Sequence, residues 1–393
     1  MKKRFFSKVV VKGSFGLMLI FGTIGFSHSS YSSETDSSRR MIIQLNKNAS
    51  SDQLGVDLEK SGGLVVKKMK YRNALVVQIS KNAADAIKSK NKNIISVEDD
   101  VVYEIIKSGN SKRPGGGGGG TVEQPLQEVP WGIQAINSTD ANVVSGGEGA
   151  VVCIVDTGID SSHPDLAANV IGGENFVAKG RNVDSSKWQD DNEHGTHVAG
   201  TVAALDNNIG VVGVAPRAKL FAAKVLNSRG SGYSSDVADG ILSCVANGAD
   251  VINMSLGSAS SSAVIESAVK AAYAAGLIIV AAAGNSSSSV GYPAKYPEVI
   301  AVSAIDSSMQ IAYFSNTGSE IQYAAPGVNI RSTVPGGGYA NFNGTSMASP
   351  HVAGVAALMI SSGSARIEAR DIGLSPIEQG LGLVDALLTV SSF

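Results

Sequence analysis

The chain is predicted to be an α/β protein with a mostly parallel sheet between layers of helices, preceded by a small α+β unit. Three observations lead there. From about Gln127 onward, short continuously apolar runs alternate with amphipathic stretches, the pattern of strands buried on both faces. Residues 41 to 106 mix strand-like and helical runs on a smaller scale. Between the two lie Pro114 and six consecutive glycines, Gly115 to Gly120, a flexible stretch that no core can use.

Taken in order, residues 1 to 30 read as an export signal. Lys2, Lys3, Arg4, Lys8 and Lys12 precede an uncharged run from Gly13 to Phe26, followed by the small residues Ser27, Ser29 and Ser30. That run is short for a membrane span, so the mature protein is expected outside the cell, free of the membrane. Residues 31 to 106 form the front unit, with strands expected at Met41–Leu45, Leu64–Lys70, Ala74–Ile79 and Ile94–Tyr103. Helices are expected at Ser51–Lys60 and Ala83–Lys90. Residues 107 to 125 are the linker, and 126 to 393 the main domain. In that domain strands are expected at Ala150–Val155, Leu220–Leu226, Asp250–Met254, Leu277–Ala283 and Val299–Val302, and a long apolar helix at Met347–Ile360.

At 393 residues and 43% hydrophobic content the chain can bury full cores. Its net charge of −2 conceals an asymmetry: from Leu126 onward 12 basic residues face 23 acidic ones, leaving the front of the chain at +9. An acidic main body argues against nucleic-acid binding and suits cation binding. The two cysteines, Cys153 on a strand and Cys244 on a helix, are compatible with a bridge or with two buried thiols.

Four segments carry chemistry. Asp156 closes an apolar strand and is held by the turn Thr157-Gly158, a place where aspartate is ordinarily a turn or cap residue. His194-Gly-Thr-His197 opens an apolar helix; the spacing lacks the His-Glu-x-x-His pattern of zinc sites, so His194 is the candidate base and His197 a packed residue. Asn285 ends a strand and can aim its amide at a developing negative oxygen. Ser346 lies on the glycine turn Gly344-Thr345 at the start of the long helix, where free backbone N–H groups and the helix dipole suit an oxyanion.

Together the segments Asp156-Thr-Gly-Ile-Asp160, His194-Gly-Thr-His-Val-Ala-Gly200, Ala283-Gly-Asn285 and Gly344-Thr-Ser-Met-Ala-Ser-Pro-His351 resemble the subtilisin-like serine proteases, from Gln127 to Ala386. The resemblance implies a three-layer domain with a mostly parallel seven-stranded sheet, and a ferredoxin-like propeptide of the I9 inhibitor type in front. It implies Ser346 as nucleophile, His194 as acid–base, Asp156 as its orienting partner and Asn285 in the oxyanion hole. It assigns Gly230-Ser231-Gly232 and Ser255-Leu256-Gly257 to the edges that pair with an extended substrate. Ala282, Ala283 and Gly284 would line a pocket for a large apolar or aromatic side chain, although the chain is shorter than the family pattern between Asn285 and Gly291.

It further implies a structural Ca²⁺ held by Gln127, Asp165, Leu205, Asn207, Ile209 and Val211. The implied protein is a secreted, monomeric endopeptidase of broad specificity. It acts on proteins and peptides, matures by cutting itself between Tyr103 and Gly120, and uses its propeptide as folding aid and inhibitor. A silent peptide-binding protein and an acyl transferase to amines are the alternatives.

Overall fold

A computed structural model of the protein describes residues 37–106, 124–177 and 183–392; the expected export signal and most of the linker lie outside the described residues. The front unit runs β1 (Arg39–Leu45), α1 (Ser51–Lys60), β2 (Leu64–Lys68), β3 (Ala74–Ile79), α2 (Lys81–Lys90) and β4 (Ile94–Asp99). Its four strands form an antiparallel sheet in the order β2-β3-β1-β4. Ser50 and Ser80 cap the two helices through their hydroxyls. Leu54 and Leu58 of α1 and Ala84 of α2 close over Met41, Ile43, Val77 and Ile79 as a core separate from the rest of the chain.

The strand expected over Ile94–Tyr103 is in fact two. β4 stays in the front sheet, whereas β5 (Val102–Ile105) leaves it and pairs with the main domain. The break falls at Asp100, whose carboxylate accepts from Arg40 Nε of β1 (2.6 Å) and, on the main domain, from Ser234 Oγ (3.0 Å), Ser235 N (2.8 Å) and Ser235 Oγ (2.8 Å).

The main domain continues with α3 (Trp131–Ala135), α4 (Ser138–Ala141), β6 (Val151–Asp156), β7 (Val170–Asn175), α5 (His194–Ala203), β8 (Lys219–Lys224), β9 (Ser231–Tyr233) and α6 (Ser234–Ala246). Then come β10 (Val251–Met254), β11 (Leu256–Gly257), α7 (Ala263–Ala274), β12 (Ile278–Ala282), β13 (Ile300–Ile305) and β14 (Ile321–Pro326). The chain closes with β15 (Ile330–Val334), β16 (Gly338–Phe342), α8 (Thr345–Ser362), β17 (Ala369–Arg370), α9 (Pro376–Gln379), β18 (Leu383–Val384) and α10 (Ala386–Ser391).

The large sheet has the order β17-β18-β14-β13-β12-β10-β6-β8-β7. Seven strands from β7 to β14 are parallel, as expected, but the sheet is nine-stranded: β18 adds a parallel edge and β17 an antiparallel one. Those two strands are two residues long, too short to leave an alternation in the sequence. Successive residues of β6 serve opposite cores, Val152 and Ile154 on the side of α5 and α8, Cys153 and Val155 on the side of α6 and α7. This is why the strand reads as unbroken apolar residues. Cys153 and Cys244 are bonded, tying β6 to α6. Asp156, Ser255 and Asn285 follow or end β6, β10 and β12, so all three gather at the carboxyl edge of the sheet, where open α/β sheets place their ligands.

Candidate active site

His194 begins α5 and is buried, with Nδ1 2.8 Å from Asp156 Oδ1 and 2.9 Å from Oδ2. A carboxylate accepts only, so Nδ1 carries the proton and Nε2 is left as the free base position. Nε2 is itself buried and makes no hydrogen bond among the described residues. Asp156 is held in turn by Thr157 N at 2.7 Å. His197, three residues further along α5, stacks on Phe342 with ring centroids 4.2 Å apart and donates from Nε2 to Ile330 O. Burial, reinforced by the nearby His194, pushes it down to about 3, so it is a neutral packing group.

Ser346 is the second residue of α8. Its hydroxyl reaches Ser255 O at 3.0 Å and Ile106 O at 3.1 Å, instead of His194. Pro350 stands four residues further along the helix and has no N–H to offer the Ser346 carbonyl. Ser255 Oγ supplies the missing donor at 2.8 Å. Gly344, just before the helix, has φ +152°, and a Cβ there would lie 2.9 Å from Asn285 Nδ2 and 3.0 Å from Ile106 O. Only glycine leaves that space open.

Asn285 faces the same space from the end of β12. Its Nδ2 donates to Ile106 O at 2.8 Å, while its Oδ1 accepts from Thr345 N and Thr345 Oγ1, both at 2.9 Å. These two bonds fix the amide's orientation, so its N–H points at the Ile106 carbonyl. That carbonyl oxygen is thus shared by the Asn285 amide and the Ser346 hydroxyl.

Ile106 arrives there because β5 lies as a middle strand between β9 and β11. Tyr103 and Glu104 pair with Gly232 and Ser231 on one side, Glu104 and Ile105 with Gly257 and Leu256 on the other. Ile105 N donates to Gly230 O at 2.8 Å. A Cβ on Gly230, whose φ is +78°, would meet Ile105 Cδ1 at 2.4 Å. Both edge segments thus hold β5 of the same chain by backbone bonds, which carry little side-chain information. Beneath Ile106 opens a cavity of about 410 Å³ lined by Gly257, Ser258, Ala259, Ala283, Gly284 and Asn285 among others. Ala282, expected in this wall, is instead buried within β12 and does not line it.

The residues expected to hold a cation also converge. Asp165 accepts from Asn207 Nδ2 and Val211 N, each at 3.0 Å, and its own carbonyl accepts from Leu205 N at 3.0 Å. Gln127 Oε1 accepts from Asn207 N at 2.6 Å, and Asn207 Oδ1 from Ile209 N at 2.8 Å. Asp165 is fully buried, and burial pushes its carboxyl up because only neutral donors surround it. Both Asp165 oxygens are thus met by N–H groups, Asn207 Nδ2 and Val211 N, and Asp165 is the one carboxylate of the six residues, a residue set of the oxygen-rich type that hard cations take. Among the described residues no cluster of three or more His, Cys, Asp or Glu side chains offers a site of another type.

A family model described as "Subtilase family" matches residues 147–373. The chain belongs to the subtilase family. Subtilisin J of Geobacillus stearothermophilus and subtilisin E of Bacillus subtilis (strain 168) are each 43% identical to it over 358 residues, covering 88% of this chain and 87% of the relative. Subtilisin DY of Bacillus licheniformis is 54% identical over 242 residues, 60% of this chain and 85% of the relative. As a subtilase, the chain places the family's expected aspartate and histidine in direct contact and its serine beside the asparagine amide. Sequence reasoning missed the support behind them, above all Ser255 Oγ and Pro350; the proline inside an apolar helix was the available signal. Among the described residues no helix is long and apolar enough to cross a membrane.

Proposed function

We propose that this subtilase is a secreted serine endopeptidase that hydrolyses peptide bonds of proteins through an acyl-enzyme and releases itself from its own front unit. The observation that carries the reading is the Ile106 carbonyl, gripped by Asn285 Nδ2 at 2.8 Å with the Ser346 hydroxyl 3.1 Å away. A scissile carbonyl must sit in such a place. In the reaction Ser346 Oγ attacks the carbonyl carbon as His194 Nε2 takes its proton. Asp156 keeps the imidazole in the right tautomer and stabilises its cation, and Asn285 with the Ser346 N–H stabilises the tetrahedral oxyanion. The His194 proton then passes to the leaving amine, and water repeats the cycle on the ester. For the attack the Ser346 hydroxyl must give up Ser255 O and Ile106 O and turn toward His194 Nε2, which has no partner among the described residues.

The bond cut first is Ile106–Lys107, within the interval expected from the sequence. The front unit's β1-α1-β2-β3-α2-β4 order and its β2-β3-β1-β4 sheet support the reading as a ferredoxin-like inhibitory propeptide. Backbone pairing along Gly230–Gly232 and Leu256–Gly257 supports broad specificity, and the small residues Ala283 and Gly284 leave room for a large side chain before the cut. Gln127, Asp165, Leu205, Asn207, Ile209 and Val211 would hold one Ca²⁺; with it bound, they would tie the start of the main domain to the loop after α5, away from the chemistry.

Fluorophosphonate labelling of secreted protein, together with N-terminal sequencing of the parent and of Ser346→Ala, tests the proposal. Labelling at Ser346, a mature start at Lys107 and no maturation of the variant are expected. An unlabelled, correctly folded parent sinks the enzyme reading and leaves a peptide-binding protein; maturation of the variant without another protease sinks self-processing.

A further inference from the structure

The segment leading into His194 is strained. Glu193 has φ 128° and ψ −27°, a region that a residue with a side chain enters only when its surroundings hold it there. Asp190 supplies part of the hold. Its carboxylate accepts from Asn192 N (2.9 Å), Glu193 N (3.1 Å), Thr196 N (2.9 Å), Thr196 Oγ1 (2.6 Å) and Thr157 Oγ1 (2.8 Å). Thr157 Oγ1 accepts in turn from Gly195 N at 2.9 Å. The residue after the carboxylate Asp156 is therefore bonded to the residue after His194.

A second tie runs through Lys224, which is 4% exposed and is the register partner of Asp156 across β6 and β8. Its ammonium donates to Thr157 O (2.6 Å), Leu226 O (3.0 Å) and Asp191 Oδ1 (2.6 Å). Three acceptors saturate an ammonium's three N–H groups, so the nitrogen has no freedom to move. One acceptor belongs to the turn after Asp156, one to the approach to His194, and one to the stretch that runs on to the cleft edge at Gly230.

We propose that Lys224, with Asp190 and Asp191, is a positioning device that sets the His194 imidazole against Asp156 and holds the strained Glu193 in place. The inference rests on His194 being the base of the proposed protease. Acid–base catalysis tolerates little displacement, since a misplacement of about 1 Å costs about 10²-fold in rate. Loss of the ammonium frees three segments at once, whereas Asp191 is half exposed and can lose its charge without leaving a buried hole.

The test compares Lys224→Met and Asp191→Asn by kcat and KM on a chromogenic peptide. It adds the far-downfield Nδ1–H proton resonance of His194, recorded in the full-length Ser346→Ala background. Lys224→Met is expected to lower kcat by about 10- to 100-fold with KM unchanged within about twofold, and Asp191→Asn to lower kcat by about threefold or more. Both should shift or broaden the resonance. Should Lys224→Met fail to fold, Asp191→Asn alone decides: unchanged kcat together with an unchanged resonance overturns the inference. The resonance also separates the two readings, because it reports the Asp156–His194 contact even if the parent proves inactive.

Discussion

Ser255 and Ser346 hold each other through two hydrogen bonds: Ser255 Oγ donates to Ser346 O at 2.8 Å and Ser346 Oγ donates to Ser255 O at 3.0 Å. The first bond replaces the helical bond that Pro350 cannot make; the second directs the Ser346 O–H to a neutral acceptor while Ile106 fills the site. Ser255 Oγ also meets Asn253 Nδ2 and Ser349 Oγ, so its removal leaves several buried polar atoms short of partners. Ser255→Ala should lower stability by about 1–3 kcal/mol. It should also slow turnover, because the first turn of α8 is no longer pinned. Urea unfolding in the Ser346→Ala background measures the first effect and kcat of the single variant the second.

Asn285→Ala should reduce kcat by about 10²–10³, the cost reported for the corresponding asparagine of a subtilisin itself. KM should hardly change, because the edge strands still bind the peptide backbone. Thr345 N and Oγ1 lose their acceptor as well, so a modest fall in thermal midpoint should accompany the loss. Steady-state kinetics beside calorimetry distinguishes this from general damage, which would raise KM.

Removal of Ca²⁺ should lower the unfolding midpoint without altering the chemistry at saturating substrate. At a Ca²⁺ concentration one hundred times Kd the stabilisation is about 2.7 kcal/mol, and Asp165→Asn should abolish the difference between Ca²⁺ and EGTA. Calorimetry of the inactive Ser346→Ala protein, which cannot digest itself, checks both.

The docked front unit adds a charge-specific contact. Lys67 pairs with Asp236, both nearly fully buried, and Lys70 pairs with Glu174; Asp239 accepts from Lys70 N (2.9 Å) and Tyr71 N (3.2 Å). Lys67→Ala leaves Asp236 buried without its cation and should weaken docking by about 3–5 kcal/mol. Once the chain is cut, the propeptide should then separate from the enzyme during gel filtration, whereas the parent pair co-elutes. Lys67→Asp combined with Asp236→Lys should restore part of the association.

The sequence made legible what is local. The strand that ends in Asp156, the strand that leads to Asn285, the helices that begin at His194 and near Ser346, and both helices of the front unit all fall close to where they are expected, because apolar runs and turn residues announce them. The hairpin of β15 and β16 and the edge strands β17 and β18 were not read. β17 and β18 are two residues long, and β18 pairs with β14 about sixty residues earlier; β15 and β16 pair locally across a three-residue turn but lack a clean apolar–polar alternation. The same holds at the site: His194 and Asp156 stand out as motif residues, but nothing near Lys224 in the sequence reveals that its ammonium ends beside Thr157, 67 residues earlier. The division of the expected final strand at Asp100 is decided by the serines that open α6, which lie in another part of the chain.

Acid should destabilise the protein through imidazoles that take no part in the reaction. Burial holds His197 at about 3 and His351 at about 4, against an ordinary value of 6.5. His351 sits inside α8 with Nδ1 2.8 Å from Met347 O, and its Nε2 has no partner among the described residues. Below pH 6.5 the unfolded chain therefore binds protons that the folded chain refuses. The stabilisation these two groups contribute is complete above pH 6.5 and declines as pH falls toward about 4, by up to about 1.4 kcal/mol per pH unit for each histidine. Urea unfolding of Ser346→Ala at saturating Ca²⁺ from pH 7.5 to about pH 4 should show this slope. His351→Gln should lower stability at neutral pH and flatten the slope, since an amide removes the titration but not the cavity; an unaltered slope in that variant would assign the acid sensitivity to other groups.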